Sequence, residues 1–385
     1  LAILKSFYYV YNMVKRTITP IIQGKIGRGK AIMIIGPRQV GKTTLIMNLL
    51  KGEDYKLFDG DDPSIRAELE TPNTEKIRQL IGGKKIVFVD EAQRIKGIGL
   101  TLKIIIDQFK DVQLWISGSS SFHLFNELNE PLTGRKWEYE LYPISWEEYE
   151  HHVGYLKGQQ DLENRLIYGM YPEVINNERG EEKEVLRNLV NSYLYRDILS
   201  HGEIRKPEIL EKLVQGLALQ LGSEVNYNEL SQLVSISKDT VQRYIDILEK
   251  GYVLFRLRSF NRNVRNEIKR GRKIYFYDNG IRNAVIGEFR DLSTRNDVGM
   301  LWENFLISER IKQNSYKLTF AKPHFWRTMQ QQEIDYVEQN GLKLKAYEFK
   351  WNPKSKAKFS KTFLKSYDAE SKFINRENFR EFVVI

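Results

Sequence analysis

Gly36-Pro37-Arg38-Gln39-Val40-Gly41-Lys42-Thr43-Thr44 sets two glycines around four residues, then a lysine and two hydroxyls. Glycine lets a backbone curl until its N–H groups point at one centre, which suits phosphate. The apolar run Ala31–Ile35 before it reads as a strand, and a helix is expected from Lys42. A helix N-terminus adds a favourable dipole for an anion. In this G-x-x-x-x-G-K-[ST] pattern, Lys42 is placed to meet the β- and γ-phosphates and Thr43 to ligate Mg²⁺. The chemistry is phosphoryl transfer, with ATP and Mg²⁺ as the expected cofactors and Gly36–Thr44 as the nucleotide loop. Ile86-Val87-Phe88-Val89 is a second buried strand, with Asp90 and Glu91 at its C-terminal end. That edge of an open α/β sheet is where ligands bind. Asp90 is expected in the magnesium shell, and Glu91 as the catalytic group that orients or deprotonates the attacking water. The bland reading, a capped and solvated strand end, does not explain the pairing with the loop.

Two further groups are candidates at this site. Ser117-Gly118-Ser119 ends the strand Val112–Ile116, and a hydroxyl there can sense the γ-phosphate, with Ser119 preferred to Ser117. A plain strand-ending turn is the alternative. Arg135, in Leu132-Thr133-Gly134-Arg135, is a candidate to reach phosphate in cis, or in trans as a finger between subunits. The trans role brings a homo-oligomer into consideration, and a surface salt bridge is the dull alternative. A glutamate directly after the magnesium-shell aspartate is the pattern of the additional-strand ATPases, which include the AAA+ proteins.

A second constellation lies near the end. Glu333 and Asp335 alternate on a strand and so face one way. After the Asn340-Gly341 turn, Glu348 and Lys350 again share a face. Glu303 sits upstream on a helical stretch. D…E-x-K is the layout of metal-dependent phosphodiester cleavage, with carboxylates on Mg²⁺ and the lysine steadying the attacking water. A salt-bridged strand pair is the competing reading for Glu303, Glu333, Asp335, Glu348 and Lys350.

The elements that must position these groups follow from the patterning. Strands at Ala31–Ile35, Tyr55–Phe58, Ile86–Val89 and Val112–Ile116 alternate with helical stretches near 64–81 and 98–110, which predicts a parallel sheet covered by helices on both faces. Residues 145–220 read as mostly helical. Tyr227–Val234 and Lys238–Lys250, joined by Ser235–Ser237 with Ser237 as N-cap, form a helix-turn-helix, with Tyr252–Phe260 as its wing. The outward residues Lys238, Asp239, Gln242, Arg243, Asp246 and Glu249 are mixed in sign, which favours a protein-binding or intramolecular wing over base reading. The expected boundaries are 13–150 for the nucleotide domain, 151–222 for a helical segment, 223–262 for the winged helix and 263–385 for a C-terminal α/β domain.

Composition narrows the classes. The chain has 385 residues, 41% hydrophobic and 29% charged, with no cysteine. Disulfides, thiolate metal sites and cysteine nucleophiles are excluded. No apolar run approaches the ~18–20 residues of a membrane helix, and no signal-peptide order appears, so a cytoplasmic protein without a membrane partner is expected. The net charge of +10 lies wholly in residues 262–385, which hold 25 Lys+Arg against 15 Asp+Glu. A basic domain on a neutral body suggests a polyanion, with DNA favoured, although a solvated lysine-rich surface reads equally well.

GPRQVGKTTL at 36–45, VDEAQ at 89–93, SGSSS at 117–121, LTGR at 132–135, YPISWEEY at 142–149, YGMYPEVI at 168–175, YLYRDI at 193–198, KIYFYDNGIRNAVIG at 273–287, WENF at 302–305, FWR at 325–327, EIDYV at 333–337 and YEFKW at 347–351 occur in one order. With these motifs the chain resembles a prokaryotic family of AAA+-type ATPases that carry a C-terminal domain of unknown function, the DUF4143 ATPases. The resemblance begins near Met13, which makes residues 1–12 an upstream extension. It implies a P-loop ATPase core, a winged-helix segment and a C-terminal domain similar to PD-(D/E)XK nucleases. The leading expectation is an ATPase acting on DNA, in which hydrolysis moves the winged helix and C-terminal domain. Competing with it are an ATP-regulated endonuclease and a nucleotide-gated switch for a protein partner.

Overall fold

The computed structural model describes residues 13–119, 131–177, 180–192, 206–261, 271–355 and 358–384. Residues 1–12, YLYRDI at 193–198 and the last two serines of SGSSS lie outside them. The chain forms two compact units, residues 15–142 with 250–252, and the described remainder.

The first unit is built on a five-stranded sheet. Its strands are β1 (Ala31–Gly36), β2 (Tyr55–Asp59), β3 (Ile86–Asp90), β4 (Gln113–Ser119) and β5 (Lys136–Glu140). All neighbours run parallel, in the order β2-β3-β4-β1-β5. Every residue of β1 is buried, the mark of a strand covered on both faces. Met33 and Ile35 join Val87, Val89, Leu114 and Ile116 on one face, packed against Ile77 and Ile81 of the Thr74–Ile81 helix and Leu102 and Ile105 of the Ile98–Gln108 helix. The single helical stretch expected over 64–81 is two helices, Pro63–Glu70 and Thr74–Ile81. Pro72 interrupts them, and Asn73 caps the second by accepting from Glu75 N at 2.9 Å. Because β4 lies between β1 and β3, Ser119 pairs with Gly36 while Val89 pairs with Ile116. Three strand ends thus meet at one edge.

The second unit joins helices to a six-stranded sheet. β6 (Leu254–Ser259), β7 (Arg272–Phe276), β8 (Lys322–Arg327), β9 (Glu333–Asn340), β10 (Lys343–Phe349) and β11 (Ala369–Ile374) are arranged β11-β10-β9-β8-β6-β7. The helix-turn-helix forms as read: Tyr227–Val234, a turn with Ser235 left-handed at φ 54°, then Lys238–Lys250. Ser237 Oγ accepts from Thr240 N at 3.2 Å. The expected wing strand is β6, and it does not stand free, because it pairs antiparallel with β7 and in parallel with β8. Four of its six residues, Leu254, Phe255, Leu257 and Ser259, are buried, which a solvated wing would not require. Arg256 of β6 pairs with Asp246 at 2.6 Å and with Glu249. Two of the three acids of the supposed outward face are therefore engaged, leaving Lys238, Asp239, Gln242 and Arg243.

Candidate functional site

The loop after β1 is shaped by close approach. At Gly36 a Cβ would stand 2.0 Å from Leu141 O, so only glycine fits. Gly41 has φ +91° and caps the Lys42–Leu49 helix, and Gln39 is also left-handed. Lys42 Nζ lies inside the curl, donating to Gly36 O at 3.0 Å and Pro37 O at 2.7 Å. Val40 is buried, Arg38 half-buried, and Thr44 is exposed on the first helical turn. The buried Arg16 guanidinium donates to Val40 O at 2.9 Å and Tyr142 O at 2.5 Å, tying the loop to the chain beyond β5.

Thr43 Oγ1 donates to the Asp90 carboxylate, 2.9 and 3.0 Å from its two oxygens. A hydroxyl and a carboxylate this close, beside a phosphate loop, form the hard-oxygen pair Mg²⁺ takes, so the residues fit the ion. Ser117 Oγ donates to Asp90, and Glu91 N donates to Ser117 Oγ at 3.3 Å. Glu91 itself is left-handed at φ 46°. Gln93 Nε2 donates both to Glu91 and, at 2.7 Å, to Ser119 Oγ. Lys42, Thr43, Asp90, Glu91 and Ser119 are thus brought to one edge.

Arg135 is not. It precedes β5, which runs parallel to β1, so it stands at the opposite end of the sheet, where its carbonyl accepts from Ala31 N at 3.0 Å. Its guanidinium binds Asp107 at 2.8 Å and holds that carboxyl below its ordinary value. The cis role is therefore corrected: Arg135 does not reach the phosphate loop of its own chain. Ser117, ranked below Ser119 in the sequence reading, shares its strand face and meets Asp90. Two contributors escaped that reading. Gln93 follows Glu91 by two residues within VDEAQ. Arg16 had no signal, since its partners lie far along the chain.

In the second unit Glu303, Glu333, Asp335, Glu348 and Lys350 also converge, around a residue the motifs did not flag. Lys273 on β7, its side chain 3% exposed, pairs with Glu333 and lies 3.3 Å from Glu303. Burial opposes the lysine's charge, but Glu303 and Glu333 outweigh it and raise its pKa. Tyr275 Oη donates to Glu303 at 2.6 Å, and Arg327 lies 3.4 Å from Glu333. Lys350 Nζ stands 3.6 Å from Glu348 and 4.0 Å from Asp335. Burial, then the charge of Glu303, pushes Asp335 up to about 7. Burial, then Asp335, pushes Glu348 up to about 8. Among the described residues no three His, Asp or Glu side chains are placed to hold a metal ion. Lys273 ion-pairs with Glu303 and Glu333, while Asp335 and Glu348 stand beside Lys350.

Comparison with known proteins agrees with the first unit's geometry. Residues 28–150 match the AAA domain family. Residues 159–292 match the domain of unknown function DUF8612, and residues 298–384 the domain of unknown function DUF4143. An uncharacterized protein of Mycobacterium tuberculosis is 27% identical over 319 residues, 82% of this chain and 69% of that protein. An uncharacterized protein of Haemophilus influenzae is 26% identical over 281 residues, 66% of this chain and 69% of that protein. Among solved structures, a Walker-type ATPase of Pyrococcus abyssi is similar at 14% identity and a TM-score of 0.49, covering 71% of this chain and 96% of that one. The chain thus carries one segment similar to AAA domains and another similar to DUF4143 domains.

Proposed function

We propose that this AAA-type chain is a Mg²⁺-dependent ATPase that binds DNA through its basic C-terminal part. The observation that carries the catalytic half is the contact of Thr43 with Asp90 at the mouth of the loop enclosing Lys42. The loop N–H groups and Lys42 would bind the phosphates, and Thr43 and Asp90 would hold Mg²⁺, which supplies charge neutralisation on the phosphate oxygens. Glu91 takes the proton of the attacking water. Arg135 is left a role in trans, which requires a homo-oligomer. Among the described residues no helix is long and apolar enough to cross a membrane.

ATP turnover with and without Mg²⁺, in wild type, K42A and E91Q, tests the catalytic half. Turnover should require Mg²⁺ and fall by about 100-fold or more in both variants. Wild-type turnover in E91Q would refute the role of Glu91. The DNA half rests on the localised charge, and its mark is affinity that falls steeply with salt. Unchanged affinity between low and high salt, or no binding, would refute it and favour the protein-partner switch. The approach of Lys350 to Asp335 and Glu348 favours a nuclease as a second reading, and the ion pairs through Lys273 weigh against it. Mg²⁺-dependent DNA cleavage lost in K350A would reverse that order.

A further inference from the structure

Glu91 cannot set its own direction. Its backbone is left-handed at φ 46°, on a turn rather than in the strand. What holds its carboxylate is Gln93, whose Nε2 donates to Glu91 and to Ser119 Oγ, the latter at 2.7 Å. A primary amide nitrogen has two hydrogens, and both are spent. The amide orientation is thereby fixed, because a flipped amide would set its oxygen against a carboxylate. The other end, Gln93 Oε1, is buried with no hydrogen-bond partner among the described residues, so Gln93 acts through its Nε2.

We infer that Gln93 is the positioning residue of the hydrolytic step, holding the Glu91 carboxylate in line with Ser119 through the two hydrogens of its Nε2. This rests on the ATPase reading above. A water that gives one hydrogen to the Glu91 carboxylate so held turns a lone pair toward the γ-phosphorus. The water oxygen then bonds to phosphorus, one proton passes to Glu91, and the bond to the β–γ bridging oxygen breaks with its electron pair leaving on ADP. Ser119, at the end of β4 and paired with Gly36 in the ladder, joins this hydrogen-bonded chain to the phosphate loop.

The test is steady-state ATP turnover in wild type, K42A, E91Q, Q93A, Q93E and the double variant E91Q/Q93A. Q93E keeps the volume and removes both N–H donors, so it serves if Q93A folds poorly. Both Gln93 variants should lose about 100-fold in kcat with KM for ATP within about 2-fold, because the interaction is made in the transition state. The double variant should be no slower than E91Q, since Gln93 acts through Glu91. Wild-type kcat in the Gln93 variants, or losses that multiply in the double variant, would overturn this inference while leaving the ATPase reading intact. Absence of any turnover dependent on Lys42 in the wild type would overturn both.

Discussion

Gly36→Ala and Gly41→Ala should part company, although both glycines belong to one phosphate motif. At Gly36, with φ +151°, an added Cβ would stand 2.0 Å from Leu141 O and 3.0 Å from Leu141 C. Relaxed C···O contacts begin near about 3.3 Å, so the end of β1 and the chain leaving β5 must part by more than ~1 Å. Leu141 N donates to Ile35 O at 2.7 Å at this same crossing, and that bond must stretch or break. Overpacking against backbone costs about 1–3 kcal/mol and a lost hydrogen bond about 1 kcal/mol, giving about 2–4 kcal/mol for Gly36→Ala. At Gly41 a Cβ meets nothing within 4 Å, and only the left-handed φ of +91° is at stake. That strain costs about 1–2 kcal/mol. Urea unfolding followed by tryptophan fluorescence measures both. Equal losses within about 0.5 kcal/mol, the usual size of a neutral surface change, would refute the packing argument.

Three more perturbations read other parts of the molecule. A Cβ at Gly60 would stand 2.4 Å from Glu91 O and 2.9 Å from Asp90 O, so Gly60→Ala should lower kcat by about 10-fold or more through displacement of Glu91, measured as ATP turnover. Arg16→Ala leaves the Val40 and Tyr142 carbonyls without their donor and should weaken ATP binding by about 10-fold, roughly 1.4 kcal/mol, in an equilibrium titration. Burial, aided by Lys322 and Arg258, pushes His324 down to about 4 from the ordinary 6.5. A base with a lowered folded pKa leaves stability intact above about 6.5 and removes it as pH falls toward about 4, by at most about 3 kcal/mol. Comparing wild type with His324→Gln at pH 7 and pH 5 cancels the opposing carboxylates, and equal pH slopes for the two would contradict this.

What was legible in the sequence was chemistry carried by contiguous residues. Lys42 and Thr43 must follow Gly41 directly, and Asp90 and Glu91 must end a buried strand, so the spacing alone named the groups that meet. What failed was geometry made by distant segments. Arg135 stands near β5 in sequence, yet a parallel β5 begins at the edge opposite the phosphate loop, and only strand direction reveals this. Gln93 was visible as a letter in VDEAQ, but its function depends on Ser119, which β4 delivers between two other strands. In the second unit the four acids and Lys350 do stand together, as their spacing suggested. Lys273 was not foreseen, because it reaches Glu303 and Glu333 from β7, 30 and 60 residues away in sequence.

The same ion pairing sharpens the argument for a polyanionic partner. Among the described residues of 262–385, five cations are buried: Lys273, Arg282, Arg295, Arg310 and Lys312. Five acids are buried with them: Asp278, Asp297, Glu309, Glu338 and Glu348. Arg310 and Glu338 pair at 2.7 Å, Lys312 and Glu309 at 2.7 Å, and Arg282 and Asp297 at 2.6 Å. Buried cations and buried acids are equal in number, so the formal excess is not among them. The ten surplus positive charges of the segment therefore belong to its remaining side chains, where the proportion of cations to acids is steeper than the composition shows. Charge at the surface acts over about a Debye length, near 8 Å at physiological salt, and counterion release is what a phosphate backbone offers in return.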